Sequence, residues 1–281
     1  MLGDIRKVTI TASDLDAVES AYTRFLEYRV TARGKVSTEE AAAWGTPAQA
    51  GSDSLTLQPA AADDFEFRFV NAPASPDYVP LTTYGWNASE IMVQNVDAMA
   101  EVVADSPFEI VGEPRNLSFS DDIRAMQLRG PADEIIYLTE FKNPVPGLTV
   151  PTARSAVDRT FIVILGGATM DGLQDFYHDT FSVPKAPVVE SRVTMLSKAL
   201  GVSIETLYPI AALGLAGESL IEVDEMPDQV GPRIAHDGYL PPGIAMVGFS
   251  CDALPPAATA VDDKTSVMRG VTGELIELFS S

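Results

Sequence analysis

Two acids stand where chemistry could be done. The run "GESLIEVDEMP" (217–227) and the C-terminal run "GELIELFSS" (273–281) each hold a glutamate, Glu222 and Glu277, between apolar neighbours at strand spacing. A carboxylate buried among apolar groups without a counter-charge has a raised pKa and can give or take a proton near neutrality. Two such groups close together titrate as a pair. The same acids can also be bystanders, hydrogen-bonded or partly solvated, and two carboxylates with waters can hold a hard cation weakly. The chain has two histidines. His178, in "DFYHDTF", falls at the solvent side of a helix end. His236, in "RIAHDGYLPPG", lies in a connecting segment that, with Tyr239, could cover a pocket mouth, where imidazole is a ready base. A plain surface loop is the alternative. "GGATMDG" lacks the Lys-Ser/Thr of a phosphate loop and the spacing of a dinucleotide loop, and no GxSxG, CxxC or HExxH occurs.

The elements that would carry these residues repeat. Residues 5–12 alternate as a strand, and "SDLDAVESAY" then offers Ser13 or Asp14 as a helix cap, followed by apolar residues at helical spacing. "SDSLTLQP" and "DFEFRFVNAP" add strands. A second unit runs from "ASEIMVQNVDAMAEVV" to "DIRAMQLRGPADEIIYLTEF", with a turn at 130–133. "RTFIVILGGATMDGLQDFYHDTF" restarts the pattern; its Asp171 and Tyr177 have the spacing of Asp16 and Tyr22. The fourth unit is "PPGIAMVGFSCDAL" plus "TSVMRGVTGELIELFSS", with a short helix expected around "PPAATAVDD". The apolar insertion 193–217 has helical spacing at Val193, Leu196 and Leu200, then turns. The repeats give an N-terminal domain 1–142 (units 5–73 and 86–142), a Pro-rich linker 143–157, and a C-terminal domain 158–281 (units 158–227 and 243–281).

At 281 residues and 46% hydrophobic, the chain can bury two cores. A net charge of −21, from 40 acids against 19 bases, argues against nucleic acid and anionic membranes as partners. The lone Cys251 reads as a core thiol, so disulfides and thiolate clusters are not expected. The start "MLGDIRKVTI" does not read as a signal peptide. No segment approaches the roughly 18–20 apolar residues of a membrane span. The expectation is a cytoplasmic, bacterial-type protein, monomer or homodimer.

Four strand–helix–strands units closed by "GPADEIIYLTEF" and "VTGELIELF" resemble the vicinal oxygen chelate superfamily, which includes glyoxalase I, bleomycin-resistance proteins and extradiol dioxygenases. The resemblance implies an α+β fold of tandem βαβββ modules whose four units pair into two cup-shaped sheets. It also implies that any divalent metal takes ligands from the first strand, usually His, and the last strand, usually Glu, of each unit. Here those positions are Lys7 and about Arg68, Glu90 and Tyr137, Phe161 or Ile162 and Glu222, Ala245 and Glu277. No first-strand position holds histidine, so no cofactor is expected, with a weakly bound divalent metal as the alternative.

Pairing unit one with two gives a first cup containing Lys7, Thr9, Glu66, Arg68, Glu90 and Tyr137: an acid/base and anion-binding cluster, or a salt-bridge network filling a disused cup. Pairing unit three with four gives an apolar second cup with Glu222, Glu277, Val247, Phe249 and Phe279. The leading expectation is a metal-independent lyase or isomerase moving a proton on a small, apolar or aromatic molecule. Catalysis would draw on Glu222, Glu277, Lys7, Glu90, Tyr137 and His236, and binding on Arg68, Phe249, Phe279, Val247 and Tyr239. The alternatives are a binding or sequestering protein of the bleomycin-resistance type, and a divalent-metal dioxygenase or glyoxalase-like enzyme with unconventional ligands.

Overall fold

The computed structural model describes residues 1–117, 120–145 and 149–280; part of the expected linker, 146–148, lies outside the described residues. Unit one comprises β1 (Leu2–Ala12), α1 (Leu15–Phe25), β2 (Arg29–Lys35), α2 (Thr38–Trp44), β3 (Asp53–Gln58) and β4 (Glu66–Asn71). Unit two comprises β5 (Gly85–Val93), α3 (Val96–Val103), β6 (Glu109–Leu117), β7 (Ser120–Arg129) and β8 (Ile135–Phe141). Unit three comprises β9 (Val157–Gly167), α4 (Met170–Phe181), β10 (Val189–Arg192), α5 (Thr194–Leu200), β11 (Leu207–Gly214) and β12 (Leu220–Glu225). Unit four comprises β13 (Ile244–Cys251), β14 (Thr259–Ala260), β15 (Thr265–Arg269) and β16 (Leu275–Ser280).

Three units start their main helix alike. Asp14, Asn95 and Thr169 stand in extended backbone and accept from the amides of Ala17, Ala98 and Gly172, which satisfies otherwise orphaned donors. Unit four has no helix there. Pro255-Pro256 removes two donors and disfavours helical backbone before each ring, and only a turn from Pro255 to Ala258 forms. The short helix expected around "PPAATAVDD" is therefore absent.

The sheets do not follow the halves of the chain. One runs β14–β15–β16–β13–β1–β4–β3–β2 and the other β10–β11–β12–β9–β5–β8–β7–β6. Unit one pairs with unit four, and unit two with unit three, through antiparallel contact of their first strands. This corrects the expected cups built from one with two and three with four. Each half is instead joined through its helices. Tyr22 of α1 donates to Glu134 at 2.8 Å in the β7–β8 turn, and Tyr177 of α4 donates to Glu274 at 3.1 Å in the β15–β16 turn. The helix-side faces of all four units form one core, in which Tyr22 packs on Phe67, Phe69 and Phe108. Trp86 of β5 lies 6.0 Å from Phe249 of β13 and donates to the carbonyl of Leu275 at 2.9 Å, tying one sheet to the other.

Crosswise pairing needs two connections between the sheets, 72–84 and 226–243. They run side by side: Tyr84 donates to Gly231 O at 2.9 Å, and Thr83 bridges Gly231. Arg233 pins both. Its guanidinium donates to Thr83 Oγ1, Trp86 O, Asn87 Oδ1, Pro242 O and Ile244 O, and stacks 5.3 Å from the Tyr78 ring. Gly243, at φ 73, has no side chain where Tyr78 presses closest. Arg233→Ala leaves these acceptors unpaired and is expected to cost roughly 3 kcal/mol in urea denaturation, with Arg233→Lys recovering little because an ammonium cannot span the same acceptors.

Candidate active site

The first cup is formed by units one and four. Lys7 pairs in register with Glu66 and with Gly248, and Gly248 with Glu277, so the four residues form one row across the sheet. Gly248 is the gap in that row. A Cβ there would come within 2.7 Å of Phe279 and 3.2 Å of both Glu277 Oε2 and Lys7 Cβ. Through this gap Lys7 Nζ reaches Glu277 Oε2 at 3.5 Å, at ion-pair rather than hydrogen-bond geometry. It reaches Glu66 Oε1 at 3.2 Å and sits 4.8 Å over the Phe279 ring. Arg68 donates to Thr9 Oγ1 at 3.1 Å, Glu40 Oε1 at 3.0 Å and Glu277 Oε1 at 3.2 Å, and lies 4.9 Å over Trp44. α2, whose Ala41 and Trp44 are buried, packs over this concave face.

Glu277 therefore has two counter-charges, where the expectation was none. Burial alone would raise its carboxyl; Arg68 and Lys7 more than offset this and hold it below the ordinary value. Val247 and Phe249, expected in the cup, belong to the opposite, helix-side core. Side chains alternate along β13, and Gly248 is the residue that faces Glu277, so its neighbours in sequence point away. Ala245 and Met246 do line the cup, with Leu275.

The second cup is formed by units two and three. Across its sheet, Gln127 pairs with Tyr137, Tyr137 with Glu90, and Glu90 with Ile162. Glu222 flanks β9 from the other side, opposite Ile164, and Asp224 follows two residues along the same face. Glu90 accepts from Thr139 at 2.6 Å. The wall is apolar: Leu81, Ala88, Ile135, Ile164, Met226 and Val230, with Met195 and Leu196 of α5 packed over it. Asp224 Oδ1 and Gln127 Oε1 are buried without a hydrogen-bond partner. Glu222 and Tyr137 keep partial exposure, so solvent reaches the cluster.

None of these carboxylates has an ion-pair partner among the described residues. Burial raises Glu222 to about 7. Burial, and the charge of Glu222, raise Glu90 to about 7 against the pull of the Thr139 hydrogen bond. Asp224 is raised by burial and then by Glu222. Tyr137 is raised by burial and then by the charges of Glu222, Asp224 and Glu90, so its phenol keeps its proton.

His236 is exposed and its Nε2 lies 3.1 Å from Ala74 O, in a groove made by residues 75–83 and 232–236. Tyr239 lines a cleft with Trp86, Arg233 and Arg269. Neither groove includes Glu90, Glu222 or Glu277 in its lining. His178 is exposed, with Nδ1 3.1 Å from Val183 O. Asp224, Gln127 and Thr139 were not among the expected site residues, nor were Glu40 and Trp44. Alternation alone places Asp224 beside Glu222. "STEE" at 37–40 is a capping-box pattern, and the structure forms that box, which is the signal for α2.

No family model matches the chain, and no curated protein matches it. Solved structures do. Glyoxalase I from Zea mays superposes with a TM-score of 0.66 at 13% identity, over 99% of this chain and 92% of that one. A protein from Bacillus subtilis provisionally named a dioxygenase superposes with a TM-score of 0.62 at 9% identity, over 99% of this chain and 85% of its own. The chain thus shares the fold of these solved structures, the fold that the four-unit resemblance implies. No helix among the described residues is long and apolar enough to cross a membrane.

The donors in the cups do not suit the divalent metal that the resemblance allows. The first places an ammonium and a guanidinium at its centre. The second offers no imidazole, and among the described residues no three His, Cys, Asp or Glu side chains converge to hold an ion.

The two cups have opposite pH signatures. From the ordinary carboxylate value of 4.5 up to about 7, the folded second cup keeps protons on Glu90 and Glu222 that the unfolded chain has released. Stability therefore falls as pH rises through that window, each tenfold difference in proton affinity between folded and unfolded chain being worth about 1.4 kcal/mol per group. Melting temperature should be lower at pH 8 than at pH 5, and Glu222→Gln should raise it at pH 8 and flatten the slope. Glu277 works the other way: its contribution is present above the ordinary value and lost as pH falls through the depressed one. Arg68→Met should destabilise the fold by about 3 kcal/mol in urea denaturation at pH 7, because it strips a buried carboxylate of its main partner.

Proposed function

We propose that the cup of units two and three is the active site of a metal-independent lyase or isomerase, acting on a small, largely apolar molecule with an acidic C–H next to a carbonyl. The observation behind this reading is the pair Glu90 and Glu222, each raised to about 7 in an apolar cup that solvent still reaches at Glu222. A carboxylate half-protonated at neutral pH is suited to both removing and returning a proton, and groups in that role typically contribute about 10²- to 10⁴-fold. Glu222 takes the substrate proton; the C–H electrons move onto the carbonyl oxygen. Tyr137, held protonated, donates to that oxyanion. Return of the proton to the opposite face of the same carbon gives a stereoisomer, and where a C=C lies β,γ to the carbonyl its return at the γ-carbon gives the conjugated isomer. Loss of a β-substituent with the electron pair gives a lyase product. The apolar wall and α5 set the shape of the cup.

On this reading Lys7, Arg68 and Glu277 hold the other cup closed by charge. The binding-protein alternative needs the apolar wall but no group near pKa 7. Incubation in D₂O with a panel of aryl and alkyl ketones, followed by proton NMR, separates the two. Deuterium should enter next to the carbonyl at a rate that rises with pH through about 7. Glu222→Gln should slow the exchange by at least ~100-fold while leaving ligand-induced shifts intact. Ligands that bind at every pH without exchange would establish the sequestering role instead.

A further inference from the structure

We propose that two copies of this chain join edge to edge through β10, extending the second sheet of each into one continuous sheet across a two-fold axis. The proposal is independent of the chemistry assigned to the cup. Four strand edges are open among the described residues: β2, β14, β6 and β10. Three are blunted against pairing. β2 carries Arg29, Arg33 and Lys35, so self-pairing would set cations against cations. β14 has two residues. β6 contains Pro114 and three register irregularities.

β10 is short, at four residues, but it has no proline, and its charges are of opposite sign, so its sequence fits itself. Residues 189–193 read Val-Glu-Ser-Arg-Val. An antiparallel copy centred on Ser191 sets Val189 against Val193, Glu190 against Arg192, and Ser191 against Ser191. Hydrogen-bond parity and charge together select this register. β10 pairs with β11 in the order Val189–Ile210, Glu190–Pro209, Ser191–Tyr208 and Arg192–Leu207. Proline has no N–H to give, so Glu190–Pro209 is a non-hydrogen-bonded pair and the bonds to β11 run through Val189 and Ser191. The free N–H and C=O groups on the outer edge then belong to Glu190 and Arg192. In the centred register these two residues face each other across the axis and exchange both bonds, twice over. Registers centred on Glu190 or Arg192 satisfy the same parity but put like charges together.

The surroundings agree. Glu190 and Arg192 are exposed, and Val188, Val189 and Leu207 are each about half exposed beside the edge. Arg192 meets Glu205 of its own chain through Nε at 2.8 Å, which leaves its terminal nitrogens for the second copy.

Sedimentation equilibrium from 1 to roughly 200 µM at about 0.15 M salt, where exposed charges further than ~8 Å apart are largely screened, tests this. The 281-residue chain should show reversible, concentration-dependent dimerisation. Arg192→Glu should weaken it by ~10-fold or more, Glu190→Arg likewise, and the double exchange Glu190→Arg with Arg192→Glu should restore it. Glu205→Gln, which removes only the internal partner of Arg192, should leave the dimer in place. A chain that stays monomeric throughout, single reversals that leave the dimer constant unchanged, or a double exchange that fails to recover would each overturn the proposal; circular dichroism confirms that every variant is folded.

Discussion

The Arg233 guanidinium stands where the chain crosses twice between its sheets. A four-unit chain that pairs its first unit with its last must carry two connections across the same gap, and both expose carbonyls with no strand to receive them. Arg233 answers this with five donations to groups from residue 83 to residue 244, so both connections are fixed by one side chain. With the crossings fixed, β1 meets β13 and β5 meets β9, and the contents of both cups follow from strand register. Had unit one paired with unit two, Glu277 would have lacked Lys7 and Arg68, and Glu90 would have gained them.

That exchange of partners gives the two cups different chemistry. Both bury a carboxylate at the same place in equivalent strands, Glu222 third in β12 and Glu277 third in β16. In the first cup two cations stand within ion-pair distance of Glu277, and Coulomb attraction exceeds desolvation. In the second no cation among the described residues stands within ion-pair distance of Glu222 or Glu90, and desolvation prevails. A group fixed in its charged form is poorly suited to passing a proton, whereas a group balanced between forms is well suited to it. The division of labour proposed between the cups thus rests on where two basic residues of unit one are carried by the fold.

The repeated units, their first strands and most helix starts are legible in the sequence because period-two and helical patterning reflect local burial. The two faces of β4 are legible for the same reason: Phe65, Phe67 and Phe69 alternate with Glu66 and Arg68 and pack where alternation puts them. Unit pairing is not legible, because each first strand is apolar enough to pair with any other. The expected faces of β13 differ from the observed ones by one residue, and a one-residue error inverts a strand. Gly248 holds the clue, since a glycine in a strand interior often marks a place where other side chains converge.

The turn acids show how far a repeat can mislead. Aligning "GESLIEVDEMP" with "GELIELFSS" makes Glu218 the counterpart of Glu274. In the structure the counterpart of Glu274 is Glu134. Gly130 and Gly270 each donate from the backbone to the main-chain carbonyl of the glutamate four residues on, at 2.8 Å, and each glutamate carboxyl accepts from the tyrosine of the preceding unit's helix. Burial raises both carboxyls, Glu134 to about 7, yet each is saturated with donors from its own turn. Glu218 instead lies half exposed against Arg159 at 2.7 Å. Raised pKa alone therefore does not mark a reactive carboxylate in this chain. Glu134 and Glu274 are closed by tyrosine and backbone, whereas Glu222 stands partly exposed in an apolar cup beside Asp224, whose Oδ1 has no partner, and that difference in partners singles out the second cup.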